Sequence, residues 1–389
     1  MLLTLPAILL AGLLSVALVE AWVRIQWDQH RGTPGFFLAD PVRGTRLAAG
    51  YDGWFAGVPV KINSLGFRDD RNYTLGKPAG TFRMLVLGDS VTFGHGALWT
   101  TSYPFLLEQR LQAWRPEVKW QVWNLGVPGY NTSQELAYLE EVGPRFNPDL
   151  VIVGFYANDL VDNEPPVAPS LSRRATSAVQ RQLQEHMYSF EFYKRAILTA
   201  RWRLLTSDAD RQRIEGLASQ AAMLERRDDL AAAPQQTLGE VETFDDQQVR
   251  DFTCGLKGPG DGGANGLAAT VRGSTPQARS WTTAVRGLQA LHRHGVYPIT
   301  FFINMAPNIC RLEDRFYDGG ALDDDAALRA VLGDGTPVTS STRAFLRYRP
   351  SQMPEANGHS LGNSNRVKAD ALFEFLRTEI LPPLMRASS

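Results

Sequence analysis

A serine hydroxyl is a poor nucleophile until a base stands within hydrogen-bond reach, so the pairing of serines with histidines is weighed first. The chain carries six histidines: His30, His95, His186, His292, His294 and His359. His30 lies near an N-terminal apolar segment, His186 in an insertion, and His292 and His294 at the end of a polar helix, looking solvent-facing. His95 follows Ser90 by five residues and is expected to start the next helix and point elsewhere. His359 precedes the last helix, in a loop that can fold back over strand ends, and is the favoured general base.

Ser90 is the matching nucleophile. It stands in Met84-Leu85-Val86-Leu87-Gly88-Asp89-Ser90-Val91-Thr92-Phe93-Gly94, where a short apolar run stops at a glycine and a serine follows two residues later. The plain alternative is that Asp89 and Ser90 only form a turn or cap a helix. Acyl transfer also needs donors aimed at a developing oxyanion. The backbone N–H of Ser90, that of Gly129 and the side-chain amide of Asn158 form the available set. Taken singly, Gly129 could serve only the turn after Pro128, and Asn158 could be a cap.

These groups need a scaffold that gathers them. Arg83 to Leu87 is long enough for a buried strand, and Tyr103 to Trp114 has helical spacing. Trp120 to Leu125 makes a second strand, Ser133 to Val142 a helix, and Leu150 to Phe155 an unbroken apolar strand. Strand, helix, strand, helix, strand argues for an α/β parallel sheet with right-handed crossovers. The loops Gly88–Ser90, Gly126–Asn131 and Asn158–Asp159 then emerge at one edge, where such sheets bind ligands. Later come a helix over Thr275 to Gly295, a strand over Val296 to Met305, a helix over Asp323 to Leu332 and a last helix over Asn365 to Leu381. Residues 165–275 read as an insertion covering the site, with a helix over Gln180 to Leu205 whose aromatic and arginine side chains either line an acceptor groove or form an ordinary cap. No GxGxxG or P-loop pattern follows a strand, which leaves a nucleotide binder little support.

Of the 389 residues, 44% are hydrophobic and 21% charged, with a formal net charge of -1, so no basic footprint for nucleic acid exists. Leu2 to Val19 carries no charge, and residues 1–23 suit an N-terminal transmembrane anchor, with an uncleaved or removed signal peptide as the competing reading. The following arginines, Arg24, Arg31, Arg43 and Arg46, would place the main domain in the cytoplasm, although long domains obey that rule poorly. Residues 24–80 form an irregular, partly β lead-in, including the compact unit Asn63 to Asp69, read as packing of Leu65 and Phe67. The catalytic part is expected over 81–389. Cys254 and Cys310 exclude a disulfide framework and a four-thiolate zinc site; one bridge and two buried thiols both stay open.

Gly88-Asp89-Ser90, the glycine within Asn124 to Thr132, Asn158-Asp159 after a Pro-Asp-Leu-Val strand, and a late histidine before the final helix resemble the four blocks of the SGNH/GDSL hydrolases. The resemblance spans about Arg83 to Leu376, the insertion excepted. It implies a three-layer α/β/α fold with a mainly parallel, flavodoxin-like sheet, Ser90 as nucleophile, His359 as base, and Gly129 and Asn158 in the oxyanion hole. The anchor and Asn63 to Asp69 are similar to membrane-tethered bacterial members, whose main domain commonly faces the periplasm, and that placement is followed here. Two departures stand out. The family usually has Asp three residues before the histidine, and this chain has Ala356, leaving Glu355, Asn357 or a backbone carbonyl to orient the imidazole. Ser364 stands where glycine is common.

The expected protein is therefore a serine esterase or transesterase without metal or cofactor, acting on ester-linked acyl groups. A cell-envelope glycan or lipid suits the tether as substrate. The same residues with a sugar hydroxyl as acceptor would make an O-acyltransferase of an envelope polysaccharide. The rival from another class is an inactive glycan-binding or assembly subunit, which Ala356 favours.

Overall fold

The computed structural model describes residues 4–27, 32–161, 163, 170–190, 192–194, 197, 238–239, 241, 243, 271, 275–304, 309–356 and 358–387. His30, Cys254, Asn357 and most of the 165–275 insertion lie outside them, as does the side chain of Cys310. Helix α1 (Thr4–Gln26) contains Pro6–Gln26, a stretch of mean hydropathy 2.0 that is long and apolar enough to cross a membrane and is almost wholly uncovered by the rest of the chain. Its one carboxylate, Glu20, is fully used. It accepts from the backbone N–H groups of Tyr188 (2.9 Å) and Ser189 (2.8 Å) and from the Ser189 hydroxyl (2.6 Å), while Arg24 pairs with it at 2.6 Å.

The lead-in forms two antiparallel hairpins, β1 (Phe37–Asp40) with β2 (Gly44–Leu47), and β3 (Asp52–Phe55) with β4 (Val58–Lys61). Next comes the unit 63–69. The Asn63 side chain accepts from the N–H groups of Leu65 and Phe67, an Asx-type turn that closes it. Phe67 is completely buried and stacks on Trp123 at 4.8 Å.

The sheet is built in chain order from β5 (Thr81–Gly88), the short helix α2 (Ser90–Phe93), α3 (Tyr103–Trp114), β6 (Lys119–Gly126), α4 (Thr132–Phe146) and β7 (Leu150–Phe155), then the turn α5 (Asn158–Val161). After the insertion helix α6 (Leu171–His186) follow α7 (Pro276–Arg293), β8 (Ile299–Ile303), a hairpin of β9 (Ile309–Leu312) and β10 (Arg315–Asp318), α8 (Ala321–Leu332) and β11 (Val338–Ser340). A small hairpin, β12 (Glu355–Ala356) with β13 (His359–Ser360), leads into α9 (Gly362–Phe375). Five of these strands form one parallel sheet in the order β11-β8-β7-β5-β6. The chain moves from β5 one way to β6 and then back past it to β7, so β5 and β7 flank the switch point of a flavodoxin-like doubly wound sheet.

Alternation along the strands makes the layers. Met84, Val86 and Ile152 face one side, where they pack with Leu107 and Leu111 of α3 and Ala369 and Leu372 of α9. Leu85, Leu87, Val151 and Val153 face the other, against Leu139 and Val142 of α4 and Trp281 and Val285 of α7. With both faces covered, each such side chain contributes about 1.5–3 kcal/mol of burial. This is the three-layer α/β/α architecture expected above.

Element bounds differ where local polar chemistry decides them. The helix expected over Gln180 to Leu205 starts earlier and is interrupted at Met187; residues 188–190, 192–194 and 197 are helical again, and 198–205 lie outside the described residues. It opens at Leu171 because the Ser170 hydroxyl accepts from Arg173 N–H, and it breaks at the extended Met187, after which Glu20 captures the next two amides. His292 is not simply solvent-facing: its Nδ1 accepts from the Ile299 N–H at 2.9 Å, tying α7 to β8.

Candidate active site

Three glycines lie abreast at the carboxyl ends of the central strands, with Gly88 between Gly126 and Gly154. Their spacing opens a groove into which the turn of α2 folds. A Cβ on Gly126 would overlap the Phe93 backbone, and one on Gly154 would stand 2.5 Å from Thr92 Oγ1 and 2.8 Å from the Tyr103 hydroxyl. Asp89 caps α2, its Oδ1 accepting from Val91 N–H at 2.8 Å, so the cap reading of this residue holds. Ser90 is the first residue of α2, and its N–H is one of the amides a helix start leaves without an intrahelical acceptor.

His359 comes from the other end of the chain. Its Nε2 lies 2.8 Å from Ser90 Oγ, a hydrogen bond spanning 269 residues of sequence. The β12–β13 hairpin carries it, turning at Gly358 with φ +75°. Ser364, the departure from glycine, helps to seat that hairpin by donating its hydroxyl to the Pro354 carbonyl at 2.9 Å, and Asn365 donates to the Ser360 carbonyl at 2.9 Å.

Gly129 lies on the loop after β6. There Tyr130 N–H donates to the Val127 carbonyl across Pro128-Gly129, with φ +83° at the glycine, the pattern of a type II turn. Asn158 opens α5 beyond β7, and its side chain hydrogen-bonds the Asp89 carboxylate. Its Oδ1 is buried with no partner among the described residues. The loop is braced by Asn163, which accepts from Ser133 N–H at 3.0 Å and donates to the Ser133 and Ser280 hydroxyls. Of the two residues proposed to orient the imidazole, Glu355 is salt-bridged to Arg311, and Asn357 lies outside the described residues.

Buried charge concentrates beneath the serine. Burial pushes the Asp89 carboxyl above its ordinary range, against the lowering pull of the Val91 amide, Asn158, His359 and Lys368. Burial also pulls the Lys368 ammonium down to about 7, although Asp89 and Glu355 favour its charged form. Glu135, entirely enclosed in the first turn of α4, is raised well above the usual carboxylate range by burial and by the neighbouring Asp89.

Two residues at this site were not expected from sequence. His95 does not start a helix or point elsewhere; it lies between α2 and α3, and its ring stacks on that of His359, with centroids 4.4 Å apart and planes 24° from parallel. Arg68 does more than accompany the packing of Phe67. Fully buried, it donates to the carbonyls of Phe93 (2.7 Å), Gly94 (2.6 Å) and Ala97 (2.6 Å), clamping the turn that follows Ser90. The signal for both was the glycine pair flanking His95: Gly94 (φ +82°) and Gly96 (φ +74°) make a turn whose outward carbonyls need donors.

Residues 86–241 match the model of the GDSL-like Lipase/Acylhydrolase family. No curated protein matches the chain. Among solved structures, an alpha/beta hydrolase enzyme from the metagenome of Lake Arreo, Spain, overlaps 79% of this chain and 99% of its own at 15% identity, with a TM-score of 0.39. An acetylxylan esterase from Geobacillus stearothermophilus overlaps 76% of this chain and 93% of its own at 14% identity, with a TM-score of 0.37.

Proposed function

We propose that this chain, which belongs to the SGNH/GDSL hydrolase superfamily through residues 86–241, is a membrane-tethered serine esterase with a Ser90–His359 catalytic pair. The observation that carries the reading is the 2.8 Å contact between Ser90 Oγ and His359 Nε2 at the switch point of the sheet. Ser90 Oγ attacks the ester carbonyl carbon while its proton passes to Nε2. The negative charge that builds on the carbonyl oxygen faces the N–H groups of Ser90 and Gly129 and the second amide hydrogen of Asn158. Collapse breaks the bond to the leaving alcohol, which takes the proton from His359. Water then attacks the acyl-enzyme with the same proton traffic and releases the acid.

Helix α1 keeps this site beside a membrane, which suits an ester-linked acyl group on an envelope glycan or lipid, with the main domain on the extracytoplasmic side. A sugar hydroxyl in place of water would make the same residues an acyltransferase, and product analysis with an added glycan acceptor separates the two. The full chain in detergent should hydrolyse p-nitrophenyl acetate and be labelled by a fluorophosphonate at Ser90. Ser90→Ala and His359→Ala should each lower kcat by at least about a thousandfold. Undiminished turnover in either variant overturns the assignment of Ser90 and His359, and a wild type silent to both reagents overturns the reading in favour of an inactive binding subunit.

A further inference from the structure

A base with no carboxylate at position 356 must have its ring plane held by something else, because the lone pair on Nε2 lies in that plane. The face of the His359 imidazole is covered by His95, stacked at 4.4 Å and 24°. His95 is itself held on several sides. Its N–H donates to the carbonyl of Ser90 at 3.0 Å, and Phe55 meets its ring edge-on at 5.1 Å and 82°. The carbonyls on either side of its turn are gripped by Arg68, and Ala97 at the end of the turn packs on Leu361, two residues beyond His359. One residue is thus bonded through its backbone to the nucleophile and stacked through its side chain on the base.

We propose that His95 is a positioning residue for His359: its ring is the platform that fixes the plane of the base so that Nε2 points at Ser90 Oγ. It does not touch the reacting atoms. Its action is orientation, which is where small misplacements cost large factors in rate. The inference rests on the esterase reading above and adds to it a part that the serine and the general base do not themselves supply.

The test uses the full chain in detergent with p-nitrophenyl acetate and compares His95→Leu with His95→Phe. Leucine fills the space without an aromatic face, whereas phenylalanine keeps the face and loses both nitrogens. The expected result is a kcat about tenfold or more lower in His95→Leu, with KM within about twofold, and recovery of most of the rate in His95→Phe. Equal kcat in His95→Leu and wild type, or a His95→Phe variant as slow as His95→Leu, overturns the proposal. Thermal unfolding run alongside distinguishes orientation from folding: a loss of rate that tracks a loss of folded protein in both variants also overturns it. Failure of the parent reading looks different, since wild type would then lack fluorophosphonate labelling at Ser90.

Discussion

Ala356 lies directly across from His359 in the β12–β13 hairpin. Side chains alternate between the faces of a strand, so Glu355 belongs to the opposite face from His359, and there it pairs with Arg311. The position in register with the imidazole is therefore occupied by a residue with no carboxylate.

Glu355→Gln is expected to leave kcat within about twofold of wild type and to cost less than about 1 kcal/mol, as befits a half-exposed ion pair. Ala356→Asp, which puts a carboxylate in register with His359, is expected to raise kcat. Ester hydrolysis by the three proteins side by side checks both; a large loss in Glu355→Gln would return Glu355 to the role of orienting acid.

The glycine row at the strand ends leads to a stability prediction. Gly154→Ala drives its methyl against Thr92 Oγ1 and the Tyr103 hydroxyl and should cost about 1–3 kcal/mol in urea denaturation. Thr92→Ala in the same chain removes one of the two obstacles and should recover part of that loss. Additive costs in the double variant would mean that the close approach is not what excludes a side chain at residue 154.

Arg68→Lys keeps the charge but cannot reach three carbonyls with a planar fork. The loss is expected to be about 3 kcal/mol, read as a lower thermal midpoint, together with a fall in kcat because the turn carrying His95 is no longer clamped. A variant as stable and as active as wild type would show that the clamp is dispensable.

Lys368 supplies a pH prediction. Folding lowers its pKa from 10.5 to about 7, so between those values the unfolded chain binds more protons than the folded one, and stability rises with pH across that window. The slope approaches at most about 1.4 kcal/mol per pH unit for a single proton. Lys368→Met should flatten it, which urea titrations from pH 7 to alkaline values would reveal. An unchanged slope would assign the dependence to other groups.

The period of the apolar residues and the order of strands and helices already determined a parallel α/β sheet, because burial on both faces leaves its mark on β5, β6, β7 and β8; β11, three half-buried residues, carries no such mark, and the doubly wound order came from the fold. The placement of Ser90, Gly129 and Asn158 beyond the strand ends was legible for the same reason, since such sheets place those ends along one rim. The partnership of His359 with Ser90, favoured from the last loop, acquired its distance only from the fold, since 269 residues separate them. The stack of His95 on His359, the Arg68 clamp, the glycine row and the capture of Glu20 by Tyr188 and Ser189 were decided by tertiary structure alone. Each depends on which backbone groups are left without partners once the elements pack, and that count is settled between segments distant in sequence.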